Sequence, residues 1–220
     1  MTTSGGFVPS AVDRAWIEST AAPLHPVLEQ IEVAAGPDGI PILDRESGRV
    51  LTALAAGRRR IVEVGTAYGY STLCMALGQP ADGTIATIDP DRSRTDRARG
   101  WWRQAGIDDD RIVVVNRPAL DAFAAGEPAL AGPFDLAFID ALKHEYAAYV
   151  AAIVPRLAPG ALVIADNVLW AGRVSGGRPS SPGDATDVLR AFDSAMLRDP
   201  RFTSTILPIG DGLLLAGFRG

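Results

Sequence analysis

Along the chain, short and almost uniformly apolar runs alternate with longer stretches of helical periodicity. The runs at Arg60–Val64, Thr84–Ile88, Ile112–Val115, Leu136–Ile139 and Ala161–Ala165 are β-rich and near-continuously apolar, the pattern of strands covered on both faces. Between them, the spacing predicts helices over Ser71–Leu77, Ser93–Ala105, Leu120–Ala125 and Glu145–Leu157. Such alternation implies right-handed βαβ crossovers and a doubly wound parallel sheet. The tail departs from it: Phe202–Pro208, the turn Ile209-Gly210-Asp211-Gly212 and Leu213–Phe218 read as an antiparallel hairpin at the sheet edge. The expected fold class is therefore α/β, with a mostly parallel seven-stranded sheet that ends in a C-terminal hairpin. One domain is expected over residues 1–220. Residues 1–55 would form an N-terminal helical cap broken by Pro23, Pro26, Pro37 and Pro41, and residues 56–220 the core. Gly172–Gly183, rich in Gly, Ser and Pro, reads as a mobile loop.

Composition narrows the functional classes. With 220 residues, 47% of them hydrophobic, the chain can bury one sizeable core. A net charge of -5 argues against a broad nucleic-acid footprint or an anionic membrane partner, and Arg58-Arg59-Arg60 is too short to offset it. A single cysteine, Cys74, excludes an intramolecular disulfide and a multi-cysteine metal site. It fits a reducing compartment, and its apolar helical context reads as core. The N-terminus is polar, and no apolar stretch approaches the roughly 18 residues of a membrane span, so a soluble cytoplasmic protein is expected.

The candidate chemistry lies at strand ends. Of 21 basic residues only one is lysine, Lys143, three positions after Asp140, where an apolar strand ends in a carboxylate. An ammonium can shed its proton whereas a guanidinium effectively cannot, so a lone Lys beside an acidic strand end suggests proton transfer. A second strand ends in Asp166-Asn167. Asp140, Asp166 and Asn167 make a hard-oxygen set that suits Mg²⁺ and leaves room for water and two substrate oxygens. The plain alternative is that both aspartates cap strand ends. Earlier in the chain, Ile61-Val-Glu63-Val-Gly65-Thr66-Ala-Tyr68-Gly69-Tyr70-Ser71-Thr72 runs from strand through a glycine turn into a helix. Glycines there allow close backbone approach, and the helix start suits an anion. Its two glycines, four apart, depart from the dinucleotide pattern. Asp89 ends the next strand, placed either for ribose hydroxyls or as a helix cap before Pro90.

Glu63-Val-Gly-Thr-Ala-Tyr-Gly-Tyr-Ser71, Ile88-Asp89, Phe134–Lys143 and Asp166–Trp170 together resemble the cation-dependent O-methyltransferases related to catechol and caffeoyl-CoA O-methyltransferases. The resemblance runs from about Gly48 to the C-terminus, with the motifs in the family's order and spacing. It implies a Rossmann-like fold, S-adenosylmethionine as cofactor, a divalent cation with Mg²⁺ first, a phenolic or catechol small-molecule substrate, and a homodimer. Residue by residue, it implies that Gly65 and Tyr68 border the cofactor, Ser71 meets its methionine carboxylate and Glu63 sits nearby. Asp89 would bind the ribose and Ala119 lie near the adenine. Asp140, Asp166 and Asn167 would hold the metal, Asp140 counting with the cofactor set as well, and Lys143 would be the general base.

Two positions depart from the family. Leu142 replaces a carboxylate usual in plant members, and Arg117 stands where glycine is common before the adenine segment. Trp170 is a candidate pocket wall, Trp101 and Trp102 are candidate sheet cover, and Tyr146 and Tyr149 read as a packing pair on one helical face. His25 and His144 receive no catalytic role. The reading is an S-adenosylmethionine- and metal-dependent O-methyltransferase acting on a vicinal dihydroxy aromatic. Two alternatives stay open: a metal-independent methyltransferase, and a non-catalytic nucleotide-binding or dimerisation module.

Overall fold

The computed structural model describes residues 9–220. The polar stretch expected to lack a signal segment begins in residues 1–8, outside the described residues. Five strands run parallel: β1 (Arg60–Val64), β2 (Thr84–Ile88), β3 (Ile112–Val115), β4 (Phe134–Ile139) and β5 (Leu157–Ala165). A hairpin of β6 (Phe202–Leu207) and β7 (Leu213–Phe218) completes the sheet, β7 pairing antiparallel with β5. The order β3-β2-β1-β4-β5-β7-β6 is the doubly wound, seven-stranded arrangement that the pattern implied. Two details differ. β3 is an outer strand and leaves Val113 46% exposed, so cover on both faces does not hold there. β5 starts four residues before the apolar run, and its register against β4 steps between Phe134↔Leu157 and Leu136↔Leu162. Pro159 and Gly160 fall within that step, where a ladder tolerates them.

Eight helices surround the sheet among the described residues: α1 (Ala11–Thr20), α2 (Pro26–Asp38), α3 (Arg45–Ala55), α4 (Tyr70–Gly78), α5 (Arg92–Gln104), α6 (Ala119–Ala124), α7 (Tyr146–Ile153) and α8 (Thr186–Arg198). Pro26 opens α2 at a position where its missing N–H costs nothing. Pro37 does not break that helix as expected. It lies in the last turn, and the helix ends one residue later at left-handed Gly39, whose N–H reaches the Ala35 and Gly36 carbonyls. α7 stops at Ile153, short of the expected Leu157, and a 3-10 turn over Val154–Arg156 follows because Pro155 cannot continue the ladder. The apolar pattern did not single out α8, whose buried stripe of Leu189, Phe192 and Met196 is narrow and interrupted by Asp193.

The sheet separates two apolar layers. Ile31, Leu51, Leu73 and Trp102 of α2–α5 pack with Ile61, Ile85 and Phe138 on one face. Phe123, Tyr146, Ile153 and Phe192 of α6–α8 pack with Val62, Val64 and Val163 on the other. Ile61 and Val62 therefore face opposite layers, as the two-residue period of a strand requires. Each such fully buried side chain contributes about 1.5–3 kcal/mol. Among the described residues, no helix is long and apolar enough to cross a membrane.

Candidate active site

β1 and β4 are neighbours whose chains leave in opposite directions around the sheet, and a crevice opens beyond their carboxyl ends. It is a cleft of about 860 Å³. Gly65, Tyr68, Ser71, Asp89 and Ala119 line one part of it, and Asp140, Lys143, Asp166 and Asn167 another. The topology thus gathers residues up to 102 positions apart (Gly65 to Asn167) into one cavity.

Gly65 has φ 101°, and a Cβ there would lie 1.9 Å from the Asp140 carbonyl oxygen. The glycine is needed because β1 and β4 exits run this close, with the Asp140 N–H donating to the Val64 carbonyl at 2.9 Å. Trp102 does more than cover the sheet, since its indole N–H donates to the Gly69 carbonyl at 3.0 Å and fixes the turn. The Tyr68 ring borders the cleft while its hydroxyl donates to Asp38 at 2.7 Å and accepts from Arg97 at 2.7 Å. That clamp ties the end of α2 to Tyr68, and the Pro41-Ile42-Leu43 segment that follows α2 lines the cleft, so the N-terminal cap contributes a wall to it.

Glu63 does not line the cleft. It is fully buried beneath it and accepts hydrogen bonds from the hydroxyls of Ser71 (2.6 Å), Thr72 and Thr87 (2.6 Å), tying β1 to α4 and β2. Burial pushes its carboxyl up to about 7 despite those donors. Strand alternation turns Glu63 toward α4, beneath the cleft rather than into it. The Ser71 hydroxyl is consequently committed to Glu63, leaving the main-chain N–H groups at the start of α4 as anion donors. Both carboxylate oxygens of Asp89 accept main-chain N–H groups, Ala67 and Asp91 at 2.9 Å each. The capping role considered for it belongs to Asp91, which accepts from Ser93 and Arg94 at the start of α5. Arg117 pairs with Glu127 away from the cleft, and Ala119 opens α6 at its edge. Cys74 is buried, and burial pushes its thiol up to about 12, in keeping with core.

At the other part, Lys143 Nζ donates to Asp140 Oδ1 at 2.7 Å and to the Tyr146 hydroxyl at 2.7 Å. The Tyr146 hydroxyl in turn donates to the Asp166 carbonyl at 3.0 Å. Tyr146 is fully buried, and burial above all holds its hydroxyl well above the ordinary phenol range, so it stays protonated. The packing assignment given to it was incomplete; its i,i+3 spacing from Lys143 was the available signal. Asp166 is 3% exposed, and its Oδ1 is buried without a partner among the described residues. Burial first, and the nearby Asp140 second, push its carboxyl up to about 7. Asn167 follows with φ 58°. A buried carboxylate oxygen with no donor, on a residue that shares the cleft with Asp140 and Asn167, fits a hard divalent cation, since an ion there would relieve the unmet acceptor. Leu142, His144, Glu145, Tyr149, Trp170, Asp184 and Ala185 also line the cleft. Of Gly172–Gly183, only the distal Gly183 is part of the cleft lining.

The fold is shared with the O-methyltransferase TomG of Streptomyces achromogenes, whose solved structure is a complex with S-adenosylmethionine. The TM-score is 0.81 at 29% identity, over 94% of this chain and 95% of that one. Sheet order, switch-point cleft and this likeness define the class, an S-adenosylmethionine-dependent methyltransferase with a Rossmann-like fold. A family model described as O-methyltransferase matches residues 18–218, and the chain belongs to that family. Catechol O-methyltransferase domain-containing protein 1 of Mus musculus is 32% identical over 200 residues, 87% of this chain and 74% of the relative. The catechol O-methyltransferase of Mycobacterium tuberculosis is 34% identical over 171 residues, 76% and 75% of the two chains.

Proposed function

We propose that this enzyme transfers a methyl group from S-adenosylmethionine to one hydroxyl of a catechol-type small molecule, with a divalent cation, Mg²⁺ by its donor set, held by Asp140, Asp166 and Asn167. The observation that carries the reading is the orphaned Asp166 Oδ1 in a cleft that also holds Asp140 and Lys143. When bound, the cation would supply Lewis acidity that favours the ionised form of a phenol whose ordinary pKa is near 10.

This chain's residues divide the remaining work. The start of α4 offers main-chain N–H groups to the cofactor's carboxylate, Asp89 accepts from its ribose hydroxyls, and Pro118 and Ala119 flank the adenine. As a neutral amine, Lys143 keeps two N–H donors, one for Asp140 and one for Tyr146, and its lone pair can take the acceptor hydroxyl proton. Trp170 and Leu142 present apolar surface to the ring of the acceptor. Holding oxygen and sulfonium methyl in line supplies part of the rate by proximity. In a metal-independent methyltransferase Asp140 would serve only as the counterion of Lys143, a reading that leaves Asp166 Oδ1 unaccounted for.

The test incubates purified protein with S-adenosylmethionine and a panel of catechols, with Mg²⁺ or with excess chelator, and measures product mass and S-adenosylhomocysteine. Methylation that vanishes with chelator is expected. Chelator-resistant methylation would remove the cation from the proposal and keep the cofactor. A cytoplasmic setting and a homodimer belong to the same proposal; sedimentation of the purified chain measures the latter.

A further inference from the structure

Directly after β5, Asn167, Trp170 and Ala171 sit at φ 58°, 49° and 51°. Residues with side chains rarely adopt that conformation, and three within five positions persist only if something outside the segment holds them. The holder is the turn between β6 and β7, some forty residues later in sequence. The Val168 N–H donates to the Gly212 carbonyl at 3.1 Å, and the Leu169 N–H to the Asp211 carbonyl at 2.9 Å. The Ala171 N–H donates to the Asp211 carboxylate. Contact is close enough that a Cβ on Gly212 would lie 2.5 Å from Leu169 Cγ and 2.9 Å from the Leu169 nitrogen. On its other side the turn meets α3, where a Cβ on Gly210 would collide with the Asp44 carboxylate that caps that helix. Neither Asp211 nor Gly212 lines the cleft.

We propose that Asp211 is a positioning residue, a clip that fixes the backbone carrying Asn167 and Trp170 and thereby sets the cation site from outside the cleft. The inference rests on the reading of Asn167 as a cation ligand. A carboxylate is the stronger acceptor for a main-chain N–H, and the Ala171 N–H it receives belongs to one of the left-handed residues. Without it, Ala171 loses the acceptor that holds its left-handed backbone while the main-chain bonds of Val168 and Leu169 remain, and the release of that end loosens the stretch that begins at Asn167. Loss of a residue that orients a ligand typically weakens metal affinity about 10–100-fold.

Mn²⁺ binding to the purified protein, followed by titration calorimetry, tests this alongside S-adenosylhomocysteine binding for wild type, Asp211→Ala and Asp211→Asn. Asp211→Ala is expected to weaken Mn²⁺ binding by about tenfold or more and to leave S-adenosylhomocysteine affinity unchanged. Asp211→Asn, which keeps an oxygen acceptor, is expected to stay near wild type. Wild-type Mn²⁺ affinity in Asp211→Ala would overturn the inference alone. Parallel losses of both ligands would also overturn it, as general disruption. If the wild type binds no Mn²⁺, the cation reading itself falls, and this inference with it.

Discussion

Lys143 and Tyr146 are one turn apart, and their side chains meet because the 3-10 turn over Lys143–Glu145 leads straight into α7. A guanidinium at 143 would keep the charge but cannot act as a base at neutral pH. Lys143→Arg is therefore expected to fold normally and to lose about 10²–10⁴-fold in kcat, the usual contribution of a general base; rates within a few-fold of wild type would remove Lys143 from that role. Tyr146→Phe leaves the ring packed against Phe192 but strips a donor from the Asp166 carbonyl and an acceptor from Lys143. It should cost about 1–3 kcal/mol of stability and lower kcat while the KM for S-adenosylmethionine stays constant. Steady-state kinetics and a thermal melt on the same preparation separate the two effects. The glycine at 65 shows at residue scale why the turn after β1 needs a residue without a side chain. A side chain is excluded there because the Asp140 carbonyl already occupies the place of a Cβ, on the cleft's own edge.

Among the elements, α8 carries an unresolved cost. Asp193 lies on its buried face, 5% exposed, with neither carboxylate oxygen hydrogen-bonded among the described residues, and burial pushes its carboxyl from 3.8 up to about 7. The folded state then holds that proton more tightly than the unfolded chain. Its contribution to stability is greatest below about pH 4 and is lost as pH rises from about 4 to 7, then stays level. Asp193→Asn removes the ionisation and should raise stability at pH 8 by about 2 kcal/mol, a value below the full linkage of 1.36 kcal/mol per pKa unit because a buried amide also lacks a partner. Denaturant melts at pH 5 and pH 8 check it: the variant's advantage must grow with pH. Asp193 lies outside the cleft lining, so methyl transfer is expected to be unaffected.

For the whole molecule, the N-terminal helices do more than cover a sheet face. α2 reaches the cleft through Tyr68, whose ring is also covered by the Arg97 guanidinium 4.5 Å from its centroid. Asp38→Ala removes the acceptor shared by Tyr68 and Arg97 and frees the Pro41–Leu43 wall to move. A few-fold rise in KM for S-adenosylmethionine with kcat little changed is expected; an unchanged KM would show that the wall is held by packing alone. The cleft therefore has three supports distant in sequence: the α2 end, the strand exits of β1 and β4, and the β6–β7 turn.

Strand positions, the parallel winding and the terminal hairpin were legible in the chain because apolar runs of strand length have few other uses in a sequence of this composition. That Asp140, Lys143, Asp166 and Asn167 would come together in one cleft was legible as well, since acidic residues at the carboxyl ends of such runs must meet at one edge of the sheet. Other features depended on three-dimensional contact. Glu63 turns under the floor of the cleft because side chains alternate along β1, and one carboxylate looks like another in sequence. Tyr146 is more than core because its hydroxyl meets an amine and a carbonyl, and Asp211 matters through a backbone 40 residues away. Local pattern determined the elements and the chemistry they could carry, whereas only the tertiary structure decided which polar atoms found partners and which, like Asp166 Oδ1, have none among the described residues, because satisfying a buried polar atom depends on neighbours that sequence distance does not constrain.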